Sequence, residues 1–356
     1  MKKKLKVMVH YTQYGKERSP NNQAELIRTN EFLSEKCDFV ILDQERLPRE
    51  IGHLKSIIEL KKKIKNEKPD IVHIIGIKEG FHCTIAALLA GCKKRILITH
   101  GFAGYSTTCN ALNRFFYRWI IEPITLLLST QVQCNSEFSR NQQMIRLFAK
   151  KKSHVIYNFL HECNFSEERI WRKENQIDDN DFVVATIGNM HSGKGYDILT
   201  DIIKHFSDRE NIKFVIMGDG ALKKSFDESL NEEIAAKKVF SLGKVPHNKA
   251  MQILSECNVF VLPTRFETLG MVFAEAGQCG LPSVGTKVGA VGEIINDTET
   301  GYLTDVDDTE KMIEHIETLI ANPLQCVQMG SAAKERVDKI FSAQACAEKI
   351  FELYNL

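Results

Sequence analysis

The chain has 356 residues, 43% hydrophobic and 26% charged, with a formal net charge of +1. That length exceeds one ordinary core and predicts two soluble globular domains. It excludes a low-complexity or membrane-spanning chain: the longest apolar run, Trp119 to Leu128, is interrupted by Glu122 and Pro123. The small net charge hides an asymmetry. Residues 1–175 carry 30 Lys+Arg against 18 Asp+Glu, and the remainder carries 17 against 28. A basic first half points to an anionic partner.

Ten cysteines fall without metal-ligand spacing, which predicts free thiols, a reducing compartment and no structural zinc. Met1-Lys2-Lys3-Lys4 is followed only by a strand-length apolar run, so no signal peptide is expected and the chain reads as cytoplasmic.

Taken in order, Leu5–Tyr11 reads as a buried parallel strand and Gln23–Glu35 as a helix. Strands follow at Phe39–Leu42, Lys68–Ile75 and Lys94–His100, with helices at Ser56–Asn66 and Gly80–Ala90 between them. This alternation means a doubly wound α/β sheet. His100 ends a strand at the edge where open sheets bind ligands, whereas His73, inside an apolar run, reads as core. Leu112–Ser129 is aromatic-rich with Arg114 and Arg118. A membrane-facing helix competes here with a helix packed on the sheet, and Pro123, which breaks a long amphipathic face, favours the packed reading. A strand, Gln131–Cys134, follows.

Residues 159–180 are polar and acidic and read as a linker. A second α/β unit starts at Asp181–Ile187 and runs into Gly188-Asn189-Met190-His191-Ser192-Gly193-Lys194-Gly195. This nearly matches a phosphate-binding G-x-x-x-x-G-K loop, but Gly195 stands where the magnesium-binding Ser or Thr belongs. Further strands are expected at Lys213–Asp219 and Val239–Val245. Asp305-Val306-Asp307 spells a D-x-D, which its place in a loop assigns to a solvated turn.

The most informative stretch is Pro263 to Ile295. Glu267 and Glu275 stand eight apart, which on one helix leaves them about 80° out of line. Glu267 therefore belongs in the loop before a helix and Glu275 inside it. Between them, the N–H groups at Gly270, Met271 and Val272 open a helix N-terminus, which attracts phosphate, while carboxylates accept from hydroxyls. A ligand with a phosphate centre flanked by sugars suits all three features.

The series Glu267, Glu275, Ala276, Gly280, Pro282, Gly289 and Glu293 resembles the donor-site signature of retaining glycosyltransferases of family 4. The resemblance implies the GT-B architecture, two Rossmann-like domains facing a central cleft. Residues 1–165 would bind acceptor and 166–335 the nucleotide-sugar, with 336–356 a helix crossing back. It implies catalytic roles for Glu267, His100 and Lys194. It also places the donor against Asn189, Lys194, Val245, Gly270, Met271, Val272 and Glu275. Asn189 stands where the family usually has Arg, and the loop near the acceptor holds only Gly15. No metal and no cofactor are expected. The implied reaction moves a hexose from a nucleotide-sugar, a UDP-sugar favoured over GDP-mannose, to a glycan or lipid-linked acceptor in cell-surface polysaccharide synthesis. Nucleic acid is not an expected partner, and the basic half would rest on an anionic membrane. A P-loop-like NTPase and a catalytically silent nucleotide-sugar binder are the alternatives.

Overall fold

A computed structural model describes residues 3–12, 23–44, 52–99, 110–161, 163, 165 and 168–356. The chain divides into two units: Met1–His161 with Phe341–Leu356, and Glu162–Ile340.

The first unit is built on strands that are apolar on both faces, as a parallel sheet covered on both sides requires. Its strands are β1 (Leu5–Thr12), β2 (Cys37–Gln44), β3 (Ile71–Ile75), β4 (Lys94–Thr99), β5 (Gln131–Cys134) and β6 (Ser153–Val155). They lie in the order β2-β1-β3-β4-β5-β6, every pair parallel. The strand period of two sorts the core. Met8, Val72, Ile74 and Leu97 meet the helices His53–Glu67 and Ile77–Leu89 on one face. Val7, Val9, Ile71, Ile96 and Ile98 face the other way, against Ile350, Leu353 and Tyr354 of the last helix, Ala343–Asn355. His73 lies in that second face, its Nδ1 2.7 Å from the Tyr354 hydroxyl, which accounts for a histidine in a core strand.

The second unit holds β7 (Phe182–Ile187), β8 (Ile212–Met217), β9 (Val239–Gly243), β10 (Val259–Leu262), β11 (Ser283–Thr286) and β12 (Gly301–Thr304). The order is β12-β11-β10-β7-β8-β9, again all parallel. From β7 the chain winds outward to β8 and β9, then returns to β10 on the other side of β7. The β7/β10 pair is the switch point of the sheet, and loops leaving its carboxyl edge diverge to leave a crevice.

Three expectations are corrected. The stretch read as a linker is partly core: Phe159 and Trp171 are buried, and Arg172 is 2% exposed within the helix Ile170–Glu174. Arg172 is satisfied by the carbonyls of Glu256 (2.7 Å), Asp178 (2.9 Å) and Asp181 (3.0 Å) and by Asn258 Oδ1 (2.8 Å). A buried arginine held by carbonyls looks polar in sequence and so passes for linker. The early helix is two, Gln23–Thr29 and Glu31–Lys36, because Asn30 caps the second by accepting from the Leu33 N–H. The helix expected over 336–356 is likewise two, the end of Pro323–Phe341 and the whole of Ala343–Asn355, with Ser342 capping the second.

Candidate functional site

Two loops leave the switch point of the second unit, one after β7 and one after β10. The first, Gly188 to Gly195, tightens into a single 3-10 turn at Ser192–Lys194, which His191 caps by accepting from the Gly193 N–H (3.1 Å). Gly195 then takes φ +68°, and a Cβ there would lie 2.0 Å from the Pro263 carbonyl oxygen. Only glycine lets the first loop press this closely on the second.

Side chains complete the seam. The Gly193 carbonyl accepts from the Arg265 N–H (2.8 Å) and the Thr264 hydroxyl (3.1 Å). The Arg265 guanidinium donates to both oxygens of Asp197 (2.8 and 2.7 Å), to Asp307 (2.7 Å) and to the Ser192 carbonyl (3.1 Å). This bidentate pairing raises the guanidinium pKa and holds the Asp197 carboxyl below its ordinary value.

The seam delivers Lys194 to Glu267. The Lys194 ammonium donates to the Glu267 carboxylate, and both side chains are largely shielded, at 16% and 12% exposure. A second glycine closes the other side of Glu267. Gly289 has φ +55°, and a Cβ there would stand 1.6 Å from the Glu267 carbonyl oxygen. The His191 pKa is lowered by burial and by the Lys194 charge.

Beyond Glu267 the chain turns through Gly270 (φ +85°) into the helix Met271–Gln278. No side chain caps that helix, so the N–H groups of Met271 and Val272 open its first turn. Glu275, one turn further on, is 7% exposed, and its Oε1 lies 3.3 Å from His247 Nε2. His247 opens the helix His247–Ser255, whose cap is Pro246, with half-buried Val245 just before it. The hydrogen bond to Glu275 raises the His247 pKa against the pull of burial.

The arrangement offers a cation on a carboxylate, an uncapped helix N-terminus, and a second carboxylate deeper in. It can neutralise phosphate and accept from hydroxyls at two places. It does not suit a P-loop: a Ser or Thr side chain cannot occupy the position of Gly195, and the Lys194 ammonium faces a carboxylate.

The sequence profile of the family described as Glycosyl transferases group 1 matches residues 167–336, and that described as Glycosyl transferase 4-like matches residues 19–131. The chain is 26% identical over 312 residues to the capsular polysaccharide biosynthesis glycosyltransferase CapM of Staphylococcus aureus, covering 85% of this chain and 80% of that protein. It belongs to the family 4 glycosyltransferases. A further relative, at 26% identity over 313 residues, is the Escherichia coli UDP-Gal:alpha-D-GlcNAc-diphosphoundecaprenol alpha-1,3-galactosyltransferase, with 85% of this chain and 80% of that one covered. The crystal structure of Anabaena HepE in complex with UDP superposes with a TM-score of 0.79 at 17% identity, over 99% of this chain and all of that one. The two parallel sheets of this glycosyltransferase are thus those of the GT-B fold.

Among the site residues expected from sequence, Lys194 and Glu267 are brought into contact, and Glu275 lies one helix turn inside the segment that Gly270, Met271 and Val272 begin. Asn189 stands exposed at the start of the first loop, its carbonyl accepting from the His191 N–H (3.0 Å). His100, and the loop containing Gly15, lie outside the described residues. Sequence reasoning missed His247 and Arg265. The first carried no signal, since only the fold brings it to Glu275. The second lies two residues before Glu267 and could have been questioned, because an arginine in a site loop needs a carboxylate. Asp307, assigned to a solvated D-x-D turn, is one of its two carboxylate partners. Among the described residues no three His, Cys, Asp or Glu side chains gather as a metal site.

Proposed function

We propose that this glycosyltransferase is a retaining, metal-independent hexosyltransferase. It takes a nucleotide-sugar, a UDP-sugar in preference to GDP-mannose, and extends a glycan or lipid-linked acceptor in cell-surface polysaccharide synthesis on the cytoplasmic side. The observation that carries the reading is the Lys194–Glu267 contact beside the open first turn of the helix Met271–Gln278. UDP is favoured because HepE was solved with UDP and the E. coli relative is named for UDP-Gal. The lipid-linked acceptor is supported by the diphosphoundecaprenol in that same name.

In this reading the donor exchanges partners with the Lys194–Glu267 pair. The Lys194 ammonium moves from carboxylate to diphosphate, where the N–H groups of Met271 and Val272 join it. Glu267, released, accepts from hydroxyls of the sugar and turns the anomeric carbon toward the acceptor. Glu275 accepts from the ribose hydroxyls. As the sugar–phosphate bond breaks, charge grows on the leaving oxygen, and donors already in place stabilise it. Attack on the same face lets that oxygen take the acceptor proton, with retention.

The test separates the two carboxylates. Glu275→Ala is expected to weaken binding of UDP, read as a smaller rise of Tm with ligand concentration. Glu267→Ala is expected to leave UDP binding within about threefold while slowing transfer by about a hundredfold or more. Full activity in both variants would refute the assignment. Activity abolished by EDTA would refute metal independence, and an inverted anomeric configuration in the product would refute retention.

A further inference from the structure

In the first unit the chain runs from β1 outward to β2 and returns on the other side of β1 to β3, so β1/β3 is the switch point of that sheet. Ligands of open α/β sheets bind in the crevice outside the carboxyl ends of the strands at such a point. Three histidines gather there. His10 lies near the carboxyl end of β1, on the face it shares with Met8 by the strand period of two. His53 opens the helix His53–Glu67, which follows β2, and His82 lies in the second turn of the helix Ile77–Leu89, which follows β3. The first helix starts after Gly52 and the second after Gly76, with no side-chain cap on either. Both N-termini therefore favour a negative charge.

His53 Nδ1 lies 2.8 Å from His82 Nε2, with the two rings nearly parallel at 14°. His53 is exposed, whereas His82 is 7% exposed and its Nδ1 is buried with no hydrogen-bond partner. Two neutral imidazoles carry two N–H protons over four nitrogens. One proton sits in the shared hydrogen bond, so only one of the outer nitrogens, His53 Nε2 or His82 Nδ1, carries the other. A third proton would make both outer nitrogens donors and the pair a cation. Among the described residues no carboxylate favours that charge: burial, then the fields of His53 and His10, lower the His82 pKa to about 4. His247, beside Glu275, is the opposite case. Cys83, next to His82, is buried with its thiol pKa raised, so it stays neutral. Packing alone does not account for the pair, since an apolar side chain at 82 would fill the space without burying an unpartnered nitrogen.

We infer that this crevice binds a phosphate or diphosphate group and takes up a proton as it does so. His53 Nε2 donates to the anion, His82 behind it shares the added charge through the 2.8 Å contact, and first-turn N–H groups of the two helices complete the site. The proton comes from solvent, and no bond of the ligand breaks. The anion supplies the negative charge that no neighbouring side chain gives, so protonation and binding reinforce each other. A neutral hydroxyl ligand fits less well, because it would leave two helix N-termini with no charge to complement. The inference rests on the proposed transfer reaction at one point only: there the group is the diphosphate of a lipid-linked acceptor, and the other source of the same chemistry is free phosphate.

Calorimetric titration with inorganic pyrophosphate under saturating UDP, repeated in buffers of different ionisation enthalpy, reads both affinity and proton uptake. Near neutral pH the native chain is expected to take up about 0.5–1 proton more than His53→Gln, whose exposed side chain cannot ionise. His53→Gln should also bind about tenfold more weakly, the loss of one charge-assisted hydrogen bond. Lys194→Ala should leave both quantities unchanged, which separates this crevice from the donor site. The UDP-induced rise in Tm should survive in His53→Gln, so either reading can fail without the other. Farnesyl diphosphate distinguishes the sources: tighter binding than pyrophosphate assigns the site to a lipid-carried acceptor, and equal or weaker binding assigns it to the free anion. The proposal is overturned if neither probe binds saturably, or if the native chain and His53→Gln take up protons equally. It is equally overturned by binding that Lys194→Ala abolishes and His53→Gln leaves intact.

Discussion

The β7/β10 loops of the second unit and the helical segment Ala111–Leu128 of the first surround their positive charge differently. In the loops each cation has its carboxylate, Lys194 facing Glu267 and Arg265 facing Asp197 and Asp307, and beside them His247, after β9, faces Glu275. Along Ala111–Leu128, Arg118 donates to Gln143, Arg114 is exposed, and the one acid of the segment, Glu122, is buried. A shielded site can keep a lysine charged only beside a counterion, and in the proposed reading that counterion holds the place of the donor phosphate. An exposed arginine such as Arg114 needs no fixed counterion, since water solvates its charge.

The strongest way to break that comparison is to remove the cation from the paired side. Lys194→Ala is expected to lower kcat by about 10²–10³-fold, the loss typical for one preorganised donor at a developing charge. Sugar transfer at saturating nucleotide-sugar would measure it, and a loss of less than about threefold would remove Lys194 from the reaction. Next comes the backbone contact that delivers it. Gly195→Ala forces a methyl toward the Pro263 carbonyl at a left-handed φ, which should cost about 2–4 kcal/mol. In a unit of this size, Tm should fall by about 5–12 °C. An unchanged Tm would mean that the two loops part freely.

The fold was legible wherever a strand is buried on both faces. Val7, Met8 and Val9, or Val259 to Leu262, read as continuous apolar runs bounded by turn residues, and the alternation with helices then forces a parallel sheet. The placement of Glu267 before a helix and of Glu275 within it was legible too, because eight residues cannot put both on one face. Arg172 was not legible, since burial by carbonyl capture leaves no trace in composition. Nor was the passage of a helix through Pro123, where one π turn replaces an expected break. His247 and Arg265 were invisible for a different reason: their partners lie 28 and 68 residues away, and no period in the chain links them.

Arg265 sharpens the comparison because it touches the Lys194 loop without touching Lys194. If its role is to hold Ser192 and Gly193 in place, Arg265→Ala should reduce kcat by about tenfold with little change in KM, as a misplacement of the delivered cation would. Arg265→Lys, which keeps the charge but not the fork, should recover only part of the loss. Recovery to the full rate by lysine would show that charge alone matters there. A raised KM with unchanged kcat would instead make Arg265 a ligand of the donor.

The smallest expected effect is the pH response of the deeper pair. Glu275 raises the pKa of His247 above its ordinary 6.5, so the folded unit favours the imidazolium that donates to the carboxylate. The stabilisation is fully present below the unfolded value of 6.5 and is lost as pH rises through the higher folded value. Tm of the native chain should therefore fall by about 1–3 °C between pH 6 and pH 8 relative to His247→Gln, whose side chain cannot titrate. A flat difference between the two curves would mean that the pair contributes nothing to the fold. UDP should flatten the native curve if ribose hydroxyls occupy Glu275, because the carboxylate then keeps a donor whether or not His247 is charged. A native curve as steep with UDP as without it would separate Glu275 from the nucleotide, leaving Lys194 and the first turn of the helix Met271–Gln278 to hold the donor unaided.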